Sequence, residues 1–267
     1  MDLNAVTEFA PATDATWRAG DAWLGGGTWL FSQPQPRVTR LLDLHAFGWP
    51  PVQETGDGVL VAATCTLAEL ARWPLARSSY APGAALARQC CHALLGSFKV
   101  HNVATVGGNI CLSLPAGPMT SLTSALDGVV LLRGPGGTRR GLPVADFVTG
   151  DGRNKLRPGE LLTHVWLPPA PLSARTAFRQ LSLSPVGRSA VLVIARRDPG
   201  GQTVVTVTAS TPRPVRLRFP APPTPAEALD RLDVTGPEYL DDVHGNATWR
   251  AAMTRRLITE ALVELAG

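Results

Sequence analysis

The 267-residue chain holds four cysteines, Cys65, Cys90, Cys91 and Cys111, and none stands in the C-x-x-C spacing of zinc ribbons or redox-active thiols. Cys90 and Cys91 are adjacent, so a helix would point them in different directions and they make a poor shared metal site. The expectation is buried free thiols, with no iron–sulfur cluster in this chain. No apolar run approaches the ~20 residues needed to cross a bilayer. Residues 1–17 carry Asp2, Glu8 and Asp14 where a leader peptide would have a basic stretch and then an apolar one. Both absences point to the cytoplasm and to no membrane partner. Concentrated charge is missing too. The net charge is +4, and the arginine pairs Arg139–Arg140, Arg196–Arg197 and Arg255–Arg256 are scattered along the chain. A nucleic-acid binder gathers its cations on one face with interleaved aromatics, so no nucleic-acid partner is expected. The five histidines are dispersed, which gives no metal site, and no Ser–His–Asp or paired-carboxylate set stands out, so no catalytic residue is named.

A hydrophobic content of 45% with 17% charged residues suits a folded globular chain. Short apolar runs at 22–24, 41–44 and 59–63 predict buried strands. The Thr66/Glu69 pair predicts a capping box, and helical spacing follows over 66–72 and 84–95. Residues 118–125 read as a helix, 129–133 as a strand, and 160–167 as another. Pro168-Pro169-Ala170-Pro171 is a joint, dividing residues 1–168 from residues 169–267. Beyond it, 178–183, 190–196 and 204–209 predict three antiparallel strands. A proline-rich stretch from 212 to 225 then leads into helices at 226–232 and 248–265. The fold class is α+β.

Two glycine-rich segments carry the chemistry. Glycine lets a ligand approach the backbone without meeting a Cβ, and successive N–H groups in such a turn make a concave anion site. Gly25-Gly26-Gly27-Thr28 follows a strand, and Thr105-Val106-Gly107-Gly108-Asn109 reads as a second loop offering a second set of donors. Together they suggest a dinucleotide. Neither fits G-x-G-x-x-G within a βαβ unit, which disfavours a Rossmann nicotinamide site, and no P-loop is present.

These residues resemble the flavoprotein subunits of the xanthine dehydrogenase and carbon monoxide dehydrogenase group. Leu24–Leu30 is similar to that family's first FAD loop, and Val100–Ile110 to its most diagnostic stretch. Ser113–Gly117, Asp146–Gly150, Pro158–Leu162 and Phe178–Leu181 follow in register, and His244–Arg250 looks like its C-terminal signature. The resemblance implies a p-cresol methylhydroxylase-type FAD-binding domain of two small α/β subdomains, then a C-terminal domain of three-stranded antiparallel sheet plus helices. It implies that FAD is lined by Trp23, Leu24, Gly25, Gly26, Gly27, Thr28, Trp29 and Leu30, and by Thr105, Val106, Gly107, Gly108 and Asn109. Leu95 and Leu162 would add apolar contacts, and Arg179 a cation near the flavin. Pro118 and Arg188 both stand where relatives often have an acidic residue. The family's function would make this an electron-transfer subunit of a molybdenum hydroxylase. Electrons would come from the [2Fe–2S] clusters of a small subunit, fed by a molybdenum-cofactor large subunit. They would leave to an external acceptor such as NAD, a quinone or oxygen. The alternatives are an FAD-free scaffold or assembly subunit of the same fold, and a stand-alone flavin reductase of the enolpyruvyl-glucosamine reductase type, which the C-terminal signature opposes.

Overall fold

A buried charge pair sets the first sheet. In the computed structural model, which describes residues 3–73 and 80–267, strands β1 (Glu8–Pro11), β2 (Asp21–Leu24) and β3 (Arg40–Asp43) run parallel in the order β1-β3-β2. Arg40 lies opposite Asp21 in register and donates to both its carboxylate oxygens, at 2.8 and 2.7 Å. A bidentate pair of this kind replaces the water both groups lose on burial. Leu42 and Leu44 cover this small sheet together with Ala12 and Leu161.

The second sheet is antiparallel, in the order β4-β5-β10-β6-β7. Its strands are β4 (Val52–Thr55), β5 (Gly58–Ala62), β6 (Val129–Arg133), β7 (Arg139–Pro143) and β10 (Leu161–Leu167). Helices α1 (Leu67–Ala71), α2 (Ala81–His92), α3 (Phe98–His101), α4 (Val106–Leu112), α5 (Pro118–Ala125) and α6 (Val144–Phe147) fill the connections, with a small ribbon of β8 (Val148–Gly150) and β9 (Arg153–Asn154). The capping box before α1 forms as the sequence predicts: Thr66 accepts from the Glu69 amide, and Glu69 accepts from the Thr66 amide.

One expectation is corrected here. Residues 105–110 read as a glycine loop, but they form the cap and first turns of α4. Thr105 is the N-cap and accepts from the Gly108 amide at 3.1 Å. Gly107 packs on the backbone beyond β5, where a Cβ would lie 2.6 Å from the Ala63 Cβ and 2.8 Å from its Cα. The double glycine therefore allows close packing of a helix rather than a free turn.

A short helix α7 (Pro169–Leu172) occupies the proline joint. The sheet beyond it has four strands, not three: β11 (Arg175–Leu181), β12 (Val191–Arg197), β13 (Thr203–Thr208) and β14 (Val215–Phe219), antiparallel in chain order. The extra strand hides among prolines, yet Leu217 and Phe219 are buried while Arg218 between them is exposed. Helices α8 (Pro225–Thr235) and α9 (Ala247–Ala266) cover the sheet.

Strand β12 is buried on both faces. Val191, Val193 and Ala195 share a core with Leu257, Ile258 and Ala261 of α9. Leu192 and Ile194 instead join the core that contains Met119 and Leu122 of α5 and Val130 and Val165 of the five-stranded sheet. Beside this seam Asp127 accepts from Arg196 at 2.6 Å, from Arg216 at 2.7 Å and from Arg218, so one carboxylate ties β12 and β14 to the end of α5.

Candidate cofactor-binding site

The end of β2 opens into a cavity of about 650 Å³, within the usual range of small-molecule sites. Trp23 is fixed at its mouth by a 3.0 Å hydrogen bond from its indole N–H to the Glu160 carbonyl. Glu160 is itself held by Arg140 at 2.6 Å, which keeps its carboxyl below the usual carboxylate range despite burial. The chain then turns through Gly25–Leu30. Gly27 adopts φ 68°, a left-handed conformation, and its carbonyl accepts from the Phe31 amide at 2.8 Å. Among the described residues, none of the six amides from Gly25 to Leu30 donates to another group of the chain. Consecutive amides of this kind form a ready anion cradle.

Gly25 and Gly26 press this turn against the segment that precedes α4. A Cβ on Gly25 would lie 3.0 Å from the Thr105 Oγ1, and one on Gly26 only 1.5 Å from the Val103 carbonyl oxygen. The two glycine segments are therefore neighbours, but their donors differ. The amides of Val106, Gly107, Gly108 and Asn109 go to the Cys65 carbonyl, the Ala63 carbonyl, the Thr105 Oγ1 and the Thr105 carbonyl. The second segment thus presents side chains, not a second set of amides. Asn109 accepts from the Met119 amide at 3.0 Å through its Oδ1, and among the described residues its Nδ2 has no acceptor, so it is free to donate into the cavity.

Of the sixteen residues the sequence singled out, the cavity brings together Trp23 through Leu30, Leu95, Thr105, Gly108 and Asn109. Val106 and Leu162 are core residues, 1% and 2% exposed, and Gly107 is packed on Ala63. Arg179 lies on β11 outside the lining, paired with Glu260 at 3.6 Å and Glu264 at 2.5 Å on α9. The lining also contains Gln35, Val100, Leu114, Gly117, Arg188 and Ser189, which sequence reasoning did not place there. Arg188 and Ser189 come from the loop between β11 and β12, so the second half of the chain closes one wall. Only the substitution of a cation for the family's acidic residue at 188 marked that position in the sequence.

Cys111 also lines the cavity, and burial pushes its thiol up to about 12, so it is uncharged near neutral pH. Among the described residues, no group of three or more His, Cys, Asp or Glu side chains is placed to hold a metal. No helix among them is long and apolar enough to cross a membrane.

A free amide cradle beside a largely apolar cavity suits a dinucleotide, and comparison with known proteins agrees. Residues 8–170 match the family model described as the FAD binding domain in molybdopterin dehydrogenase. The chain belongs to this family of oxidoreductase flavin domains, and FAD is its cofactor. It is similar to the putative xanthine dehydrogenase FAD-binding subunit of Escherichia coli, 27% identical over 188 residues, which are 63% of this chain and 64% of that one. It is also similar to the nicotine 6-hydroxylase medium subunit of Paenarthrobacter nicotinovorans, at 26% identity over 86% of this chain and 82% of the relative. Carbon monoxide dehydrogenase from Hydrogenophaga pseudoflava has a chain of the same fold, with a TM-score of 0.82, 21% identity and 98% of each chain covered. Quinoline 2-oxidoreductase from Pseudomonas putida 86 has another, with a TM-score of 0.80, 18% identity, and 100% and 98% covered. The mixed α/β fold with several sheets is that of these solved chains.

Proposed function

We propose that the chain is the FAD-carrying, electron-transferring subunit of a molybdenum hydroxylase complex. Its partners are a large subunit with the molybdenum cofactor and a small subunit with [2Fe–2S] clusters, and an external acceptor such as NAD, a quinone or oxygen takes the electrons away. The observation that carries this reading is a row of six amides, without a partner among the described residues, on residues that line a cavity of about 650 Å³.

The chain's own residues supply position and electrostatics. The amides of Gly25–Leu30 would receive the diphosphate, whose charge a row of N–H dipoles can offset. Thr28 and Thr105 would add hydroxyls, and the Asn109 Nδ2 a donor from the first turn of α4. Trp23, Leu24, Leu95 and Leu112 line the cavity with apolar surface that would exclude water from a bound group. FAD, when bound, would supply the redox chemistry of electron transfer. The cysteines agree with clusters housed elsewhere, since all four are free and none is grouped for ligation among the described residues.

The test is spectroscopic. Purified full-length chain, alone or with added FAD, is expected to show the absorbance bands of oxidised flavin, and dithionite should bleach them. Co-purification should bring down a molybdenum-containing and an iron–sulfur partner. A colourless protein that takes up no added FAD overturns the reading.

A further inference from the structure

The arginines of this chain that are at least half-buried are matched to carboxylates almost throughout. Arg40 pairs with Asp21, Arg140 with Glu160, Arg179 with Glu264, Arg196 and Arg216 with Asp127, and Arg250 with Asp242. Arg188 and Arg197 differ: both are partly buried, and among the described residues neither side chain has an ion pair or a hydrogen bond. Arg197 ends β12 and is not part of the cavity lining, whereas Arg188 stands in the wall of the cofactor cavity. A guanidinium stays charged at any relevant pH, and withdrawing it even partly from water without a counter-charge is unfavourable. A cation so placed in the lining of a cofactor cavity is suited to meet an anionic group of the ligand.

The loop that carries it is held firmly. Ser189, the next residue, is buried, and its hydroxyl accepts from Gln180 Nε2 at 2.8 Å. The Ala190 amide donates to the Leu181 carbonyl at 2.9 Å, and its carbonyl accepts from the buried Arg250 at 3.1 Å. Arg250 also donates to the Ala209 carbonyl at 2.5 Å, and the Ala209 amide donates to Pro115, between the lining residues Leu114 and Ala116. One buried guanidinium from the C-terminal signature thus fixes the wall from which Arg188 projects.

We infer that Arg188 is a cofactor-binding residue contributed by the second half of the chain, and that it contacts an anionic group of the bound dinucleotide. This rests on the FAD reading above. FAD offers two such groups, the diphosphate and the N1–C2=O edge of the ring, which gains negative charge when the ring is reduced or when a nucleophile adds at N5. Both share one chemistry, an oxygen-rich anion met by a planar donor fork.

The experiment uses full-length chain stripped of flavin, as wild type and as Arg188→Gln and Arg188→Lys, with folding checked by melting temperature. Each is titrated with FAD, ADP and riboflavin. The FAD-loaded forms are then titrated with sulfite, whose sulfur lone pair adds to N5 and leaves the negative charge on the N1–C2=O edge. If Arg188 meets the diphosphate, Arg188→Gln weakens FAD and ADP about ten- to a hundredfold and leaves riboflavin unchanged, with partial rescue by Arg188→Lys. If it meets the ring, ADP binding is unchanged and the sulfite dissociation constant rises about tenfold or more. Wild-type affinities for all three ligands together with a wild-type sulfite constant overturn the assignment. A wild-type chain that takes up neither FAD nor ADP overturns the underlying reading instead, before any variant is compared.

Discussion

A methyl group on Gly26 would sit 1.5 Å from the carbonyl oxygen of Val103, a separation no pair of non-bonded atoms can hold. The first glycine turn therefore leans on the chain that leads into α4, and that contact brings the amides of 25–30 and the side chains of Thr105 and Asn109 onto one cavity.

Gly26→Ala must push the turn away from Val103. Backbone is the obstacle, so the clash cannot be relieved by a side-chain rotation, and displacements of this kind cost about 1–3 kcal/mol. FAD affinity is expected to fall by at least about tenfold, as read by fluorescence titration. Gly25→Ala, whose Cβ would meet only the Thr105 side chain at 3.0 Å, should lose less. Equal affinity for Gly26→Ala and wild type would contradict the packing described.

Asp127 is the shared acceptor for Arg196, Arg216 and Arg218, and Arg196 is only 1% exposed. Burial acts to raise its carboxyl pKa, but the arginines outweigh it and hold the group below the usual range. Asp127 also adopts φ 53°, which asparagine tolerates, so Asp127→Asn removes the charge without adding backbone strain. Three guanidiniums would then crowd a neutral amide. A loss of about 2–4 kcal/mol in urea unfolding is expected, toward the lower end because the site is partly open to water.

Acid should weaken the fold in a defined order. Asp21 and Glu160 are held below their ordinary values of 3.8 and 4.5, chiefly by hydrogen bonds from Arg40 and Arg140, with burial opposing. A carboxylate whose folded pKa is depressed contributes fully above its unfolded pKa and loses that contribution as pH falls through it toward the folded value. Stability should therefore be flat in these two groups from pH 7 to about pH 5 and decline below that. Asp21→Asn should be less stable than wild type at pH 7, and the gap should narrow below pH 4. Urea midpoints across that range measure it; a constant gap would show that Asp21 does not act through its charge.

The first site segment is legible in the sequence because its composition is a local signal, a strand followed by three glycines and a threonine, although Gly25 and Gly26 also answer to Thr105 and Val103. The second was misread because its glycines answer to something distant. Gly107-Gly108-Asn109 has the composition of a turn, yet Ala63, some forty residues away, decides that Gly107 must be bare inside a helix. The fourth strand of the second sheet was hidden in the same way. Its alternation of Leu217, Arg218 and Phe219 is short, and prolines at 212, 214 and 220 outweigh it until β13 supplies a partner. Arg179 and Arg188 show the limit most plainly. Nine residues apart on one β-ribbon, one faces two glutamates of α9 and the other the cavity, and only tertiary packing distinguishes them.

All four cysteines should resist modification in the folded protein. Burial pushes the Cys91 and Cys111 thiols up to about 12 and raises Cys65 and Cys90 as well, so almost no thiolate exists near neutral pH. Ellman's reagent at pH 8 is expected to titrate no more than a small fraction of one thiol natively and four after denaturation. Rapid native labelling of Cys111, with FAD slowing it, would show instead that the cavity wall is open.

The two-faced burial of β12 has a consequence for how the molecule comes apart. With Leu192 and Ile194 committed to one core and Val191 and Val193 to the other, neither half can be peeled away without stripping a hydrophobic face from its neighbour. Heating should thus break both at once, in a single calorimetric peak, and a chain cut at the proline joint would behave as one protein in two pieces.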